Sequence, residues 1–173
     1  GTVLRSLQKI LPHKIPILPL NLGGLGFLTE ITTEELNTKF MEILEGNFVY
    51  DERSILKATV ASDNEIFFGL NDVVVDKAGY PNVIFFHTSI DGEFFNNYIA
   101  DGLMVSSPTG STGYSFSANG PLLAPNLDAF IINPICPHSL TNRPMVISAN
   151  QTIEIEVLAD EEHSQLIVDG ERR

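Results

Sequence analysis

An α+β fold is predicted for this chain: the remnant of an open α/β domain over residues 1–46, then a mainly antiparallel, β-sandwich-like domain over residues 47–173. Three observations predict it. Before Gly46 two helical patterns flank one apolar stretch. After it, short β-branched or aromatic runs follow one another between turn residues, the pattern of half-buried strands. Asp91-Gly92 then supplies a tight hairpin turn, whose two central positions need positive φ.

Taken in order, the first helix is predicted over Thr2–Leu11, where Val3, Leu4, Leu7, Ile10 and Leu11 fall on one face. An apolar strand, Ile15–Leu20, and a glycine turn, Asn21–Phe27, follow. The second helix opens on a capping box from Thr32 to Glu35 and carries an apolar stripe of Leu36, Phe40 and Ile43 or Leu44. Beyond Gly46, strands are predicted over Ile55–Val60, Asn71–Asp76, Val83–Ile90, Glu93–Ile99, Leu103–Val105, Ile153–Val157 and Leu166–Val168, and Asp169-Gly170 is a second hairpin turn.

Composition narrows the function classes. A chain of 173 residues with 43% apolar content can build one domain with a sizeable core, or a domain plus part of another. A net charge of −12 opposes binding to nucleic-acid polymers, which needs clustered Lys and Arg to displace phosphate counterions. No apolar run approaches the roughly 20 residues that span a bilayer; neither a signal peptide nor a membrane partner is expected. The lone Cys136 cannot form an intramolecular disulfide and fits a reducing, cytoplasmic setting.

The most informative stretch runs from Asp101 to Pro121, where an apolar strand enters a loop built almost wholly of small polar residues. Gly110, Gly113 and Gly120 permit close backbone approach, and Ser107, Thr109, Ser111, Thr112, Ser115 and Ser117 both donate and accept hydrogen bonds. Tyr114 adds a flat ring. Such a loop suits a nucleotide, whose phosphates accept backbone N–H and whose base and ribose need mixed partners; the plain alternative is a solvated linker. Asn71-Asp72 matches a ribose diol or an adenine edge by pairing donors with acceptors, and its ordinary alternative is an Asx-type cap at a strand's start. Cys136 is open to reading as a plain buried thiol. His138 reads as a structural histidine, having no neighbouring carboxylate in sequence to orient it.

Asn21-Leu-Gly-Gly-Leu-Gly-Phe-Leu28, Leu70-Asn-Asp72, the Asp101–Pro121 block, Pro137-His-Ser-Leu-Thr-Asn-Arg-Pro144 and Val168-Asp-Gly170 together resemble the NAD kinase family, in order and spacing, over nearly the whole chain. The resemblance implies a nucleotide-binding α/β domain and a β-rich NAD-binding domain. It implies phosphoryl transfer from ATP, or from polyphosphate, to the 2′-hydroxyl of the adenosine ribose of NAD, with Mg²⁺ or another divalent cation, in a homodimer or homotetramer. It also implies that the chain is shortened at both ends. Gly1-Thr2 reads as the tail of the family's Gly-Gly-Asp-Gly-Thr signature, whose aspartate, the proposed base, would directly precede Gly1. No catalytic residue and no metal ligand is therefore expected in this chain, and alone it is expected to be inactive.

By the same resemblance, Gly1, Arg5 and Phe27 lie at the substrate, and Asn71 and Asp72 hold the adenosine. Asp72 stands where the family usually has Glu, one methylene longer. Thr109, Thr112, Gly113, Tyr114, Ser115, Phe116 and Ser117 form the loop around the dinucleotide. Asp101 is placed near the nicotinamide half, Cys136 as a wall of the site, and Asp169 and Glu171 at its edge, Glu171 replacing the usual Gln. Many relatives carry an arginine two positions before Asp101, where this chain has Ile99, so a cation is expected to be missing there. The alternatives are a related lipid or sugar kinase, and a regulatory module that binds NAD(P) without turnover.

Overall fold

A computed structural model describes residues 2–13, 15–23, 28–29, 31–158 and 164–173. They fall into two compact units, Gly1–Glu52 and Arg53–Arg173, with the predicted change of character at Gly46 inside the first.

In the first unit, α1 (Thr2–Ile10) continues into a 3-10 turn at Leu11–His13. The strand expected over Ile15–Leu20 shrinks to β1 (Leu20–Asn21), paired in parallel with β2 (Ile31–Thr32). The cause is local: Pro16 and Pro19 each remove a backbone donor, so the preceding stretch cannot pair. Ahead of α2 (Leu36–Leu44) the capping box forms, with Thr32 N donating to Glu35 Oε2 at 3.0 Å and Glu35 N reaching back to Thr32 Oγ1 at 3.4 Å. The helix ends at Gly46, whose φ of 83° turns the chain out while its N–H caps Ile43 O. Along the α2 stripe Leu36 and Ile43 are half-buried, while Phe40 is 48% and Leu44 65% exposed.

The second unit is a β-sandwich. In chain order its strands are β3 (Leu56–Thr59), β4 (Ile66–Gly69), β5 (Asp72–Asp76), β6 (Ile84–Ile90), β7 (Glu93–Ala100), β8 (Gly102–Ser106), β9 (Ala129–Ile135), β10 (Met145–Ser148), β11 (Ile153–Val157), β12 (Gln165–Val168) and β13 (Glu171–Arg172). A six-stranded sheet has the order β10-β9-β8-β5-β12-β13, a three-stranded sheet the order β11-β6-β7, and β3 and β4 form a hairpin; every pairing is antiparallel. Both predicted turns are present, with φ of 53° and 80° at Asp91 and Gly92, and 51° and 79° at Asp169 and Gly170. Among the strands not predicted, β9 contains Pro134. That residue is tolerated because β10 pairs only with Ala129–Ile132, so Pro134 needs no ladder bond on that side.

The pleat gives the six-stranded sheet two different faces. Val75, Leu103, Ile132 and Ile147 pack with Ile84, Phe86, Tyr98, Ile153 and Ile155 of the three-stranded sheet to form the core. Alternation places Asp72, Val74, Asp76, Met104 and Asn133 on the opposite face. The Ser107–Gly120 segment covers that face, and the candidate site is built there.

Candidate functional site

The polar loop is ordered by its own hydroxyls. Beyond β8, Ser107 N and Ser106 Oγ both donate to Asn71 O, at 2.9 and 3.2 Å, and Ser107 Oγ donates to Leu70 O while accepting from Gly110 N. Ser111 Oγ donates to Pro108 O at 2.6 Å and accepts from Leu123 N at 3.0 Å. Gly110–Thr112 is a 3-10 turn, followed by the single helical turn α3 (Tyr114–Ser117). Two glycines are required by contact. A Cβ on Gly110 would overlap the Asn71 carbonyl and lie 2.7 Å from Asn71 Cα, and one on Gly120 would overlap Ser115 Oγ and lie 2.9 Å from Asn133 Nδ2.

This anchoring divides the expected contacts. Thr109 and Ser115 are buried, and their side chains serve the protein: Thr109 Oγ1 accepts from Arg53 at 3.4 Å, and Ser115 O and Oγ accept from Asn133 Nδ2 at 3.0 and 3.3 Å. Thr112, Gly113, Tyr114, Phe116 and Ser117 stay exposed on the outside of the same turns. Ser107, Thr109, Ser111 and Ser115 therefore build a platform, Thr112 Oγ1 donates to Thr109 O at 3.2 Å, and the Tyr114, Phe116 and Ser117 side chains are displayed on it.

Asp169 sets the neighbouring strand. Held at positive φ in the β12–β13 turn, its carboxylate accepts from three consecutive backbone amides, Leu70 at 2.9 Å, Asn71 at 2.7 Å and Asp72 at 3.2 Å. Asn71's main chain is thus satisfied on both sides, by Asp169 and by Ser106 and Ser107. Its carboxamide makes no hydrogen bond among the described residues, so the Asx-cap alternative is not what the side chain does. Asp72 is buried at the start of β5, and no donor among the described residues meets its carboxylate. Burial, with the nearby Asp169 charge, pushes its pKa up to about 6.

Tyr114 ties these groups together. Its pKa is raised by desolvation first, then by the charges of Asp76, Cys136, Asp72 and Asp101. Asp101 lies between β7 and β8 and pairs with Lys77 Nζ at 2.8 Å. That partner, in the turn after β5, is a residue that sequence reasoning passed over. Cys136, beside Asp101 at the end of β9, is exposed at a φ of 47° and is not the buried thiol of the plain reading. Glu171 forms an ion pair with Arg173 at 3.0 Å. Arg5 is exposed on α1 in the first unit, and Gly1 and Phe27 lie outside the described residues. His138 donates its backbone N–H to Ile99 O at 2.8 Å, joining the Pro137 block to β7.

Arg53 and Asp76 also went unpredicted. Asp76 Oδ1 accepts from Gln165 Nε2 at 2.7 Å and Ala78 N at 2.9 Å, bracing the turn that carries Lys77. The signal available in the sequence was Asp76-Lys77 directly before Ala78-Gly79, a turn at the end of a predicted strand.

Comparison with known proteins agrees along the chain. A family model described as ATP-NAD kinase C-terminal domain matches residues 70–173, and one described as ATP-NAD kinase N-terminal domain matches residues 1–48. An NAD kinase of Koribacter versatilis is 43% identical over 174 residues, covering 99% of this chain and 61% of that protein. One of Citrifermentans bemidjiense is 45% identical over 175 residues, with the same coverage. The chain spans about three fifths of the length of these curated relatives. Among solved structures, yeast NADH kinase complexed with NADH superposes with a TM-score of 0.92 at 30% identity, over 100% of this chain and 52% of that one. An NAD kinase from Archaeoglobus fulgidus in complex with ATP gives 0.81 at 29% identity, over 98% and 65%.

Proposed function

Because this chain belongs to the NAD kinase family, we propose that the protein it represents transfers a phosphoryl group from ATP, or from polyphosphate, to the 2′-hydroxyl of the adenosine ribose of NAD, forming NADP. One observation carries the reading: Asn71 and Asp72 present a carboxamide and a buried carboxylate, both without partners among the described residues, and the Asp72 charge acts on the half-exposed Tyr114. A ribose diol or adenine edge supplies the donors and acceptors they lack. The solved complexes of similar proteins, one with NADH and one with ATP, support the same ligand pair.

Phosphoryl transfer asks the protein for in-line positioning and charge neutralisation more than for covalent chemistry. In this reading Asn71 and Asp72 orient the ribose, Thr112, Gly113, Tyr114, Phe116 and Ser117 border the dinucleotide, Asp101 adjoins its nicotinamide half, and Cys136 is a wall of the site. Thr109, Ser115 and Asp169 act behind them by holding the loop and strand in place. Glu171 is at the rim. Gly1, Arg5 and Phe27 lie at the NAD substrate in this reading, with the proposed base directly preceding Gly1. No group of three His, Cys, Asp or Glu residues able to hold a metal occurs among the described residues. Mg²⁺ would be carried on the donor's phosphates, an ion that commonly keeps water ligands and few protein ones.

We place the enzyme in the cytoplasm as a homodimer or homotetramer. Among the described residues no helix is long and apolar enough to cross a membrane. The test is direct: full-length protein incubated with NAD, ATP and Mg²⁺ should yield NADP. A protein that phosphorylates diacylglycerol or fructose 6-phosphate but never NAD overturns the proposal, and one that binds NAD without turnover reduces it to a regulatory module.

A further inference from the structure

Lys77 stands directly opposite Asp101, one step beyond the Asp76–Gly102 pair that ends the β5–β8 ladder. The two residues are joined twice, Lys77 N to Asp101 O at 3.1 Å and Lys77 Nζ to Asp101 Oδ1 at 2.8 Å. Lys77 is itself fixed by a tight turn. Tyr80 N donates to Lys77 O at 2.6 Å, Ala78 N donates to Asp76 Oδ1 at 2.9 Å, and Ala78 and Gly79 take φ of 49° and 83°. On its other side Asp101 N donates to Ile135 O at 3.0 Å. The carboxylate is therefore held by its backbone and by one oxygen, while Oδ2 has no partner among the described residues.

Both side chains are about one third exposed or less, so a ligand seated on the pair would shield it further from water. An ammonium on Oδ1 keeps the carboxylate in one rotamer and leaves the second oxygen free to accept an N–H or O–H. Without that cation the side chain could rotate, and ordering it again would weaken any bond it makes.

We propose that Lys77 is a positioning residue of the dinucleotide site, acting through Asp101 on the nicotinamide group of NAD and not on the riboses or the diphosphate; the proposal rests on the NAD-binding reading above. The experiment is calorimetric titration of full-length protein with NAD and with ADP-ribose, which keeps the diphosphate and both riboses but lacks nicotinamide. Lys77→Met should weaken NAD binding about tenfold, the scale of one charge-assisted hydrogen bond, and change ADP-ribose binding less than about twofold. Lys77→Arg should keep most of the affinity. Asp101→Asn should match the Lys77→Met loss, and the double variant should lose no more than either alone, because coupled residues are non-additive.

An equal loss for both ligands would place the Lys77–Asp101 pair on a group the two share, a ribose or the diphosphate, and overturn the proposal. Unchanged NAD affinity in Lys77→Met, or additive losses in the double variant, would overturn it as well. Should Lys77→Met fail to fold, Asp101→Asn alone still decides, since it must discriminate NAD from ADP-ribose in the same way. Wild-type protein that binds neither ligand sinks the NAD-binding reading itself, a result separate from all of these.

Discussion

Replacing Asp169 probes the arrangement on which the acceptor strand depends. Three consecutive amides, Leu70, Asn71 and Asp72, converge on its carboxylate, so one anion fixes the backbone from which both Asn71 and Asp72 project. In Asp169→Asn one side-chain oxygen can still serve Asn71 and Asp72, but an NH₂ then faces the Leu70 N–H, donor against donor. Loss of that bond costs roughly 1.5–3 kcal/mol, and removing the charge beside Asp72 offsets part of it, leaving a net destabilisation of about 1–2 kcal/mol. Asparagine tolerates the φ of 51°, so the backbone adds little. Asp169→Ala removes all three acceptors and puts an alanine in a left-handed conformation that costs roughly 1–2 kcal/mol; the total loss should reach about 3–5 kcal/mol. Urea unfolding followed by far-UV circular dichroism measures both, provided the denaturant slope is unchanged. A wild-type midpoint for Asp169→Ala would mean that the three amides are satisfied without it, and the account of how Asn71 and Asp72 are positioned would fall.

Gly110→Ala should lower stability by about 1–3 kcal/mol and weaken NAD binding together, because the new Cβ drives into the Asn71 backbone; wild-type melting and affinity would refute the packing. Asn71→Ala should separate the two quantities, weakening NAD binding by roughly 1–3 kcal/mol with little change in melting temperature, since the carboxamide has no partner among the described residues; a sharp fall in stability at constant affinity would make Asn71 structural. For Asp72, raised from 3.8 to about 6, the folded state retains a proton that the unfolded state releases. Its contribution to stability is thus present below about pH 4 and lost as pH rises through about 6, on the order of 3 kcal/mol. Asp72→Asn should flatten that slope in acid-range unfolding curves, and an unaltered slope would refute the buried-carboxylate reading. If the ionised form accepts from the ribose, NAD affinity should rise with pH through about 6, which titrations across that range would check.

Much of the architecture was legible along the chain because it follows from local causes. Asp91-Gly92 and Asp169-Gly170 are turns wherever they occur between strands, since few other dipeptides enter positive φ at both positions so readily. The periodic apolar residues of α1 and the reciprocal Thr32–Glu35 box needed no distant partner. Strand ends blurred where proline intervened, shortening the expected Ile15–Leu20 strand and hiding β9. The small polar residues of the Ser107–Ser117 loop and the Asn71-Asp72 pair stood out by composition, but their division of labour did not. Whether a serine displays its hydroxyl or spends it on a carbonyl depends on what lies across the sheet. Ser107 turns to Leu70 and Ser115 meets Asn133, far away in sequence. The buried carboxylate of Asp72, the three-amide grip of Asp169 and the Lys77–Asp101 pair are likewise products of register. Antiparallel pairing sets residues opposite one another that no spacing rule connects, and burial then decides which charges are neutralised and which remain for a ligand.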